Sequence, residues 1–447
     1  MAKLPGWLTP DAVDTVVVAF PDTYGRLMGK RLTRQFFIDQ VVEAGTHVCN
    51  YLLTVDIEMN PLPGFSLANW DKGYGDFHVV IDPKTLRLLP WAEKTAMVIG
   101  DLYHEDHSPV AEAPRTVLKT QLERLRKRGL VAKTASELEF YLFDNSYSEA
   151  HAADYRKLTP SSDYLIDYHL LQTGRDEGLM RQLRNELSEA GIVVEGTKGE
   201  WGKGQHELNL VYCDALEMAD RHVLLKHGTK EIAAQHGRSI TFMAKWATEE
   251  AGSSCHIHTS LWSDGANASN GFADGNKPSK LFSQFLGGML RYGREFCYFF
   301  APTINAYKRY QAASWAPTSL TWALDNRTTG FRVVGSGPSL RIENRMPGAD
   351  VNPYLAFAAT IAAGLRGIEE NLDCGEPYRG NAYEDADVPR LPPSLSDAID
   401  LLDQSAVARE ALGDQVVDFY CHSGRSEVAA HMREVSTWER RRYFERL

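Results

Sequence analysis

Four short segments place acids and imidazoles where an ordinary sheet would place apolar residues. In Ser136-Glu137-Leu138-Glu139-Phe140-Tyr141-Leu142-Phe143 the side chains of a strand alternate, so Glu137 and Glu139 share one face about 7 Å apart while Leu138, Phe140 and Leu142 fill the other. In Gly204-Gln205-His206-Glu207-Leu208-Asn209-Leu210, Glu207 shares a face with Gln205 and Asn209, and Glu200 precedes it across a glycine-rich bend. His256, His258 and Ser260 lie on one face of Cys255-His256-Ile257-His258-Thr259-Ser260-Leu261, as do Arg341, Glu343 and Arg345 in the segment that begins at Leu340. Taken alone, each segment also reads as a sheet edge with one solvated face. If the four faces converge, five carboxylates and two imidazoles meet, and burying that charge without cations is prohibitively costly. Divalent metal resolves the conflict, and the oxygen-rich donor set suits Mg²⁺ or Mn²⁺, the latter tolerating imidazole better. With Arg309, Arg327, Arg332, Arg341 and Arg345, such a site would take a polyphosphate and a carboxylate, because guanidinium forks pair with both. Phosphoryl transfer is the implied chemistry. No Gly-x-x-x-x-Gly-Lys-[Ser/Thr] segment occurs, so the nucleotide would not sit on a P-loop.

Holding these segments together requires a large framework, and 447 residues supply it. The composition, 43% hydrophobic and 24% charged, is that of an ordinary globular protein and excludes wholesale disorder. A net charge of -11 without a dense basic stripe argues against nucleic acid as a partner. No apolar stretch reaches the roughly 20 residues that span a bilayer, and no signal-like apolar core follows Met1, so no membrane association and a cytoplasmic location are expected. Six cysteines lie far apart with no Cys-x-x-Cys pair and are expected to be reduced and structural. Residues 13–20 form a β-branched run closed by a turn around Gly25, and the first 110 residues read as mostly strand and loop. From Pro114 the apolar spacing becomes helical, which places a domain boundary near residue 110. Beyond it, strands alternate with helices expected over 179–190, 221–236, 280–297 and 353–370, the last a buried helix capped by Asn352-Pro353.

The segments also occur in a recognisable order. Glu137-Leu-Glu139, Glu200 through Gly204-Gln205-His206-Glu207, Gly252-Ser-Ser-Cys-His256-Ile-His258-Thr-Ser260, Ala301-Pro-Thr-Ile-Asn305-Ala-Tyr307-Lys308-Arg309, Asn326-Arg327 and Arg341-Ile-Glu343-Asn-Arg345 together resemble the glutamine synthetase family, type I-like branch, over nearly the whole chain. The resemblance implies an α+β fold, with a small β-grasp-like N-terminal domain at 1–110 and a catalytic domain at 111–447 built on a curved antiparallel sheet. It also implies a dodecamer of two stacked hexamers, with active sites between neighbouring subunits. Carried over position by position, Glu139, Glu200 and Glu207 would hold one metal, and Glu137, His256 and Glu343 another. His258, Ser260, Arg327, Arg332 and Arg341 would address ATP, and Gly252, Arg309 and Arg345 glutamate. Arg309, Arg327 and Glu343 would act in catalysis, the γ-carboxylate taking a phosphoryl group before an amine displaces phosphate.

The departures concern the nucleophile. Ammonia-using members carry a flap glutamate where this chain has Trp315, and an N-terminal aspartate where it has Val48-Cys49-Asn50-Tyr51. An ammonium ion wants anionic walls, whereas an aromatic wall suits a primary amine with a carbon substituent. The expected activity is therefore a γ-glutamylamine ligase acting on ethanolamine or a polyamine, with Trp315, Tyr168, Cys49 and Asn50 at the amine. Glutamine synthesis from ammonia is the alternative activity, and an inactive structural or regulatory relative the alternative class. Ala251 stands where the family usually has asparagine, and no counterpart of the adenylylation-type tyrosine region is expected.

Overall fold

The β-branched run after Val13 forms strand β1 (Thr15–Pro21), which pairs with β2 (Leu27–Thr33) through a turn at Gly25. The φ of +76° at Gly25 is a conformation that glycine adopts without a Cβ clash. The computed structural model describes residues 4–447, so the reading made at Met1 falls outside it. Strands β3 (Thr46–Cys49), β4 (Asp76–Ile81), β5 (Arg87–Leu88) and β6 (Thr95–Tyr103) complete a six-stranded sheet ordered β2-β1-β6-β4-β3, with β5 on β6. Its β1–β6 pair is parallel and the other pairs antiparallel, in keeping with the expected β-grasp-like arrangement.

The second sheet holds the four polar-faced segments. It comprises β7 (Leu130–Phe143), β8 (Val194–Gly199), β9 (Gln205–Leu210), β10 (Cys213–Asp214), β11 (Ser239–Thr241) and β12 (Cys255–Ser263); after a separate hairpin of β13 (Ala273–Asp274) and β14 (Lys277–Pro278) come β15 (Trp322–Leu324), β16 (Phe331–Val334) and β17 (Arg341–Asn344). The main order is β15-β16-β17-β12-β7-β9-β8, with β10 and β11 also on β7. Every pair is antiparallel except β15–β16, so the sheet is mixed at that edge rather than wholly antiparallel. The apolar side of β7, carrying Leu138, Phe140 and Leu142, is fully buried and faces the helical layer.

That layer consists chiefly of α1 (Pro114–Arg126), α2 (Glu177–Glu189), α3 (Ala215–Gln235), α4 (Lys280–Tyr292) and α5 (Pro353–Glu369). As expected, α5 is buried along nearly its whole length, and the Asn352 side chain accepts a hydrogen bond from the Tyr354 N–H. Its crossing with α4 needs glycine: a Cβ on Gly364 would lie 2.1 Å from the Phe285 ring, and one on Gly288 would lie 2.2 Å from the Ala363 carbonyl. The helix expected over 280–297 ends at Tyr292, capped by Gly293, and helical structure resumes only at Cys297–Phe300. A buried Arg115 on α1 ties the two sheets' supports together. It donates to Asp82 and Asp101 beside the first sheet and to both oxygens of Asp220 on α3, while the Tyr354 hydroxyl of α5 donates to Asp220. Among the described residues no helix is long and apolar enough to cross a membrane.

Candidate active site

Because β17, β12, β7 and β9 are sheet neighbours, the four polar faces do come together. The register puts His256 opposite Glu137, Glu139 opposite Glu207, and Glu343 opposite both His258 and Arg332. All of these side chains but His258 line a cavity of about 690 Å³. Glu137, Glu139, Glu200, Glu207, His256 and Glu343 all line it, and Glu343 is only 1% exposed.

The charges are arranged unequally. Burial would raise Glu137, but hydrogen bonds from His256 (3.1 Å) and His258 (2.7 Å) outweigh it and hold the carboxyl below its ordinary range. Burial acts on Glu343 in the same way and is overcome by Arg345, whose Nη1 donates at 2.5 Å, and by the imidazoles. Glu139 behaves oppositely: burial and then the adjacent Glu200 push it up to about 7, although the Ser254 N–H and hydroxyl both donate to it. Glu207 is raised well above the usual range by burial and by Glu200, Glu137 and Glu139. Burial, followed by the charge of Arg345, lowers the pKa of His256, which favours the neutral ring that ligates metals.

Two triplets have ligand atoms within 4.8 Å of one another: Glu137, His256 and Glu343, and Glu139, Glu207 and His256. Both sets fit a divalent cation, since crowded carboxylates that otherwise resist ionisation become favourable once a positive ion sits between them. The first triplet is the one expected from the sequence. The second contains His256 in place of Glu200, because the Glu200 Oε1 takes an ion pair from the Lys198 ammonium instead.

The same cavity also carries positive charge. Arg309, Arg327, Arg332 and Arg345 line the cavity, and Arg332 donates to Glu343 at 2.9 Å and to Asp325. Arg309 directs both terminal nitrogens to backbone carbonyls, Met346 and Arg345, each at 2.8 Å. Arg345 keeps a buried Nε with no partner, a donor free for a substrate carboxylate. Gly252 also lines the cavity, and a Cβ there would approach the Arg309 side chain to 2.7 Å. His258, Ser260 and Arg341 continue the same face of β12 and β17 outside the lining. The Nε of Arg341 reaches His258 at 3.2 Å, and the Trp262 indole donates to Ser260.

Trp315 and Tyr168 line the cavity, both with positive φ. Cys49 and Asn50 do not: they end β3 in the first sheet, where Cys49 Sγ contacts the Tyr74 carbonyl. Three lining residues escape the alternation argument. Ser254 belongs to the Gly252-Ser-Ser motif, while Lys198 and Trp201 flank Glu200, and proximity to that acid was the available signal.

Comparison with known proteins agrees with this geometry. The profile of the glutamine synthetase catalytic domain matches residues 111–443. The chain is 52% identical to the gamma-glutamylethanolamide synthetase GlnA4 of Streptomyces coelicolor, across 97% of this chain and 93% of that one. It is 36% identical to a glutamate–isopropylamine ligase from a Pseudomonas species, covering 99% and 97% respectively. A solved GmaS/ADP complex superposes with a TM-score of 0.87 at 27% identity, covering 100% of both chains. The chain belongs to the glutamine synthetase family.

Proposed function

We propose that this protein is an ATP-dependent ligase that joins the γ-carboxylate of glutamate to a primary amine, with ethanolamine the favoured amine and a polyamine the second candidate. The carrying observation is one cavity lined by the acid–imidazole cluster and by Arg309, Arg327, Arg332 and Arg345, with a tryptophan, Trp315, and not an acid beside them. The named activities of the relatives, on ethanolamine and isopropylamine, support the same class.

In this reading a γ-carboxylate oxygen attacks the γ-phosphorus of ATP and the bond to ADP breaks. The amine nitrogen then attacks the acyl carbon, phosphate leaves, and the nitrogen loses a proton. Two divalent ions, Mg²⁺ or Mn²⁺, held by Glu137, His256 and Glu343 and by Glu139 and Glu207 with Glu200, would neutralise the phosphoryl oxygens. Arg327 and Arg332 pair with phosphate, and His258, Ser260 and Arg341 extend that surface toward the nucleotide. Arg345 and Arg309 hold the glutamate carboxylates while Gly252 keeps the approach open. The ADP-bound neighbour supports the nucleotide assignment.

We further propose two domains meeting near residue 110, a cytoplasmic setting, and a dodecamer of stacked hexamers in which Cys49 and Asn50 act at a neighbouring subunit's amine site. The decisive assay supplies purified protein with ATP, Mg²⁺, glutamate and a panel of amines and follows phosphate release. Preferential turnover with one amine is expected. Equal or better turnover with ammonium alone would favour glutamine synthesis, and no turnover with any of them would favour an inactive relative.

A further inference from the structure

Trp201 and Trp315 come from segments over 100 residues apart, yet their rings meet edge to face at the cavity, with centroids 6.0 Å apart and planes at 62°. Both line the cavity, and each keeps about half its surface open, at 48% and 51% exposure. Large aromatic surface left uncovered beside polar walls marks a place for a ligand's carbon skeleton.

Each ring is held by its own backbone. Trp201 lies in a tight bend where the Glu200 N–H donates to the Gln205 carbonyl and the Gln205 N–H donates to that of Gly202. The bend sits so close to β7 that a Cβ on Gly202 would fall 2.0 Å from the Tyr141 hydroxyl, which is itself bonded to the Ala251 carbonyl. Trp315 has a φ of +64° and Ala313 one of +58°, a left-handed conformation that strains a non-glycine residue. The flap bears that strain, and the Arg345 Nη2 donates to the Trp315 carbonyl at 3.3 Å. The flap tryptophan is thereby linked to the arginine proposed to hold glutamate.

We infer that Trp201 is a specificity-determining residue. With Trp315 it forms an aromatic clamp that takes the short carbon substituent of a primary alkylamine beside Glu200 and discriminates against bare ammonium. The inference rests on the ligase reading and extends it to a residue that the sequence motifs do not single out. The clamp receives the amine in its ammonium form, the π-faces attracting the charge while the methylene groups cover indole surface, and the ion gives one proton to solvent before its nitrogen attacks. Ammonium has no carbon to cover the rings and gains only the first of these contributions.

The test compares kcat/KM for ethanolamine and for ammonium in wild type, Trp201→Ala and Trp201→Phe, and follows tryptophan emission as ethanolamine is added to protein holding Mg²⁺-ADP and glutamate. Trp201→Ala should lower the ethanolamine-to-ammonium ratio by roughly tenfold or more. Trp201→Phe should retain most of it, and the saturable emission change of wild type should be lost in Trp201→Ala. If Trp201→Ala does not assemble, Trp201→Gln against Trp201→Phe makes the same comparison of polar with aromatic. An unchanged ratio in an assembled, ADP-binding variant overturns the clamp while the ligase reading stands. A wild type that prefers ammonium overturns both.

Discussion

Glu139 and Glu207 are the residues on which the metal hypothesis can be tested most directly. In the folded chain without metal, Glu139 titrates at about 7 against an ordinary 4.5, so the native state binds protons that the unfolded state releases. For an acid whose folded pKa is raised, the stabilising contribution is complete below the unfolded value and disappears as pH climbs through the folded one. Protein stripped with a chelator should therefore lose thermal stability between pH 5 and pH 8, a window taken from that shift. Metal binding needs the ionised carboxylates, so the stabilisation by Mn²⁺ should grow over the same interval. Melting temperatures measured with chelator and with Mn²⁺ across this range check both slopes, and a Mn²⁺ effect that shrinks with rising pH would contradict the assignment. Glu343→Gln removes an anion that pairs with Arg332 and Arg345 and that would also hold the proposed cation. Its metal affinity should fall by more than the roughly 10–100-fold typical of outer-shell changes. At the flap, Trp315→Glu should raise ammonium use by roughly tenfold if the missing acid is what excludes that substrate. Steady-state rates with ammonium as sole nitrogen donor decide this, and no gain would move the selectivity to another residue.

At the scale of elements, Arg115 shows how one side chain can join a sheet to a helical layer. Its guanidinium faces Asp82, Asp101 and Asp220, and truncation would leave buried carboxylates without their cation. Arg115→Ala should therefore cost about 3–5 kcal/mol, seen as a shift in the denaturation midpoint at unchanged slope. A loss below 1 kcal/mol would mean that water takes over the arginine's role. What the sequence disclosed and what it concealed follow from the same geometry. Strand alternation identified Glu137, Glu139, Glu207, His256 and Glu343, because a two-residue period fixes which side chains share a face. It said nothing of sheet order, and the convergence of β17, β12, β7 and β9 depends on pairings between residues roughly 60 to 130 positions apart in sequence. Helical spacing located α5 to within a residue because its caps are local, whereas 280–297 read as continuous because Gly293 gives only a weak stop inside an apolar run. The Lys198–Glu200 pair and the Trp201–Trp315 contact were hidden for another reason: Lys198 sits on β8, but Glu200, Trp201 and Trp315 lie in irregular backbone, where neither period applies.

For the whole molecule, exposed apolar surface offers a test of the proposed assembly. Leu170 and Leu171 are 86% and 80% exposed, and Tyr168, two residues earlier, lines the cavity. Trp70 in the N-terminal part is 81% exposed. A stable monomer rarely presents such residues in clusters, and a second copy laid over them would exclude water from both. The cavity and the Leu170–Leu171 turn belong to one continuous stretch, so assembly and catalysis should fail together. The paired substitution Leu170→Asp and Leu171→Asp alters only solvent-facing positions of the isolated chain and should leave its helices and sheets intact. If the proposed assembly covers this surface, the variant would bury two carboxylates against a neighbour, a costly desolvation. Native mass measurement should then show multiples of the 50.0 kDa chain for wild type and a shift toward the single chain for the variant, with amine-dependent phosphate release falling in parallel. Circular dichroism separates this outcome from simple unfolding. A variant that keeps the wild-type mass and rate would show that this surface is not the contact of the proposed assembly, which would then have to be sought on the β3 side, where Cys49 and Asn50 lie.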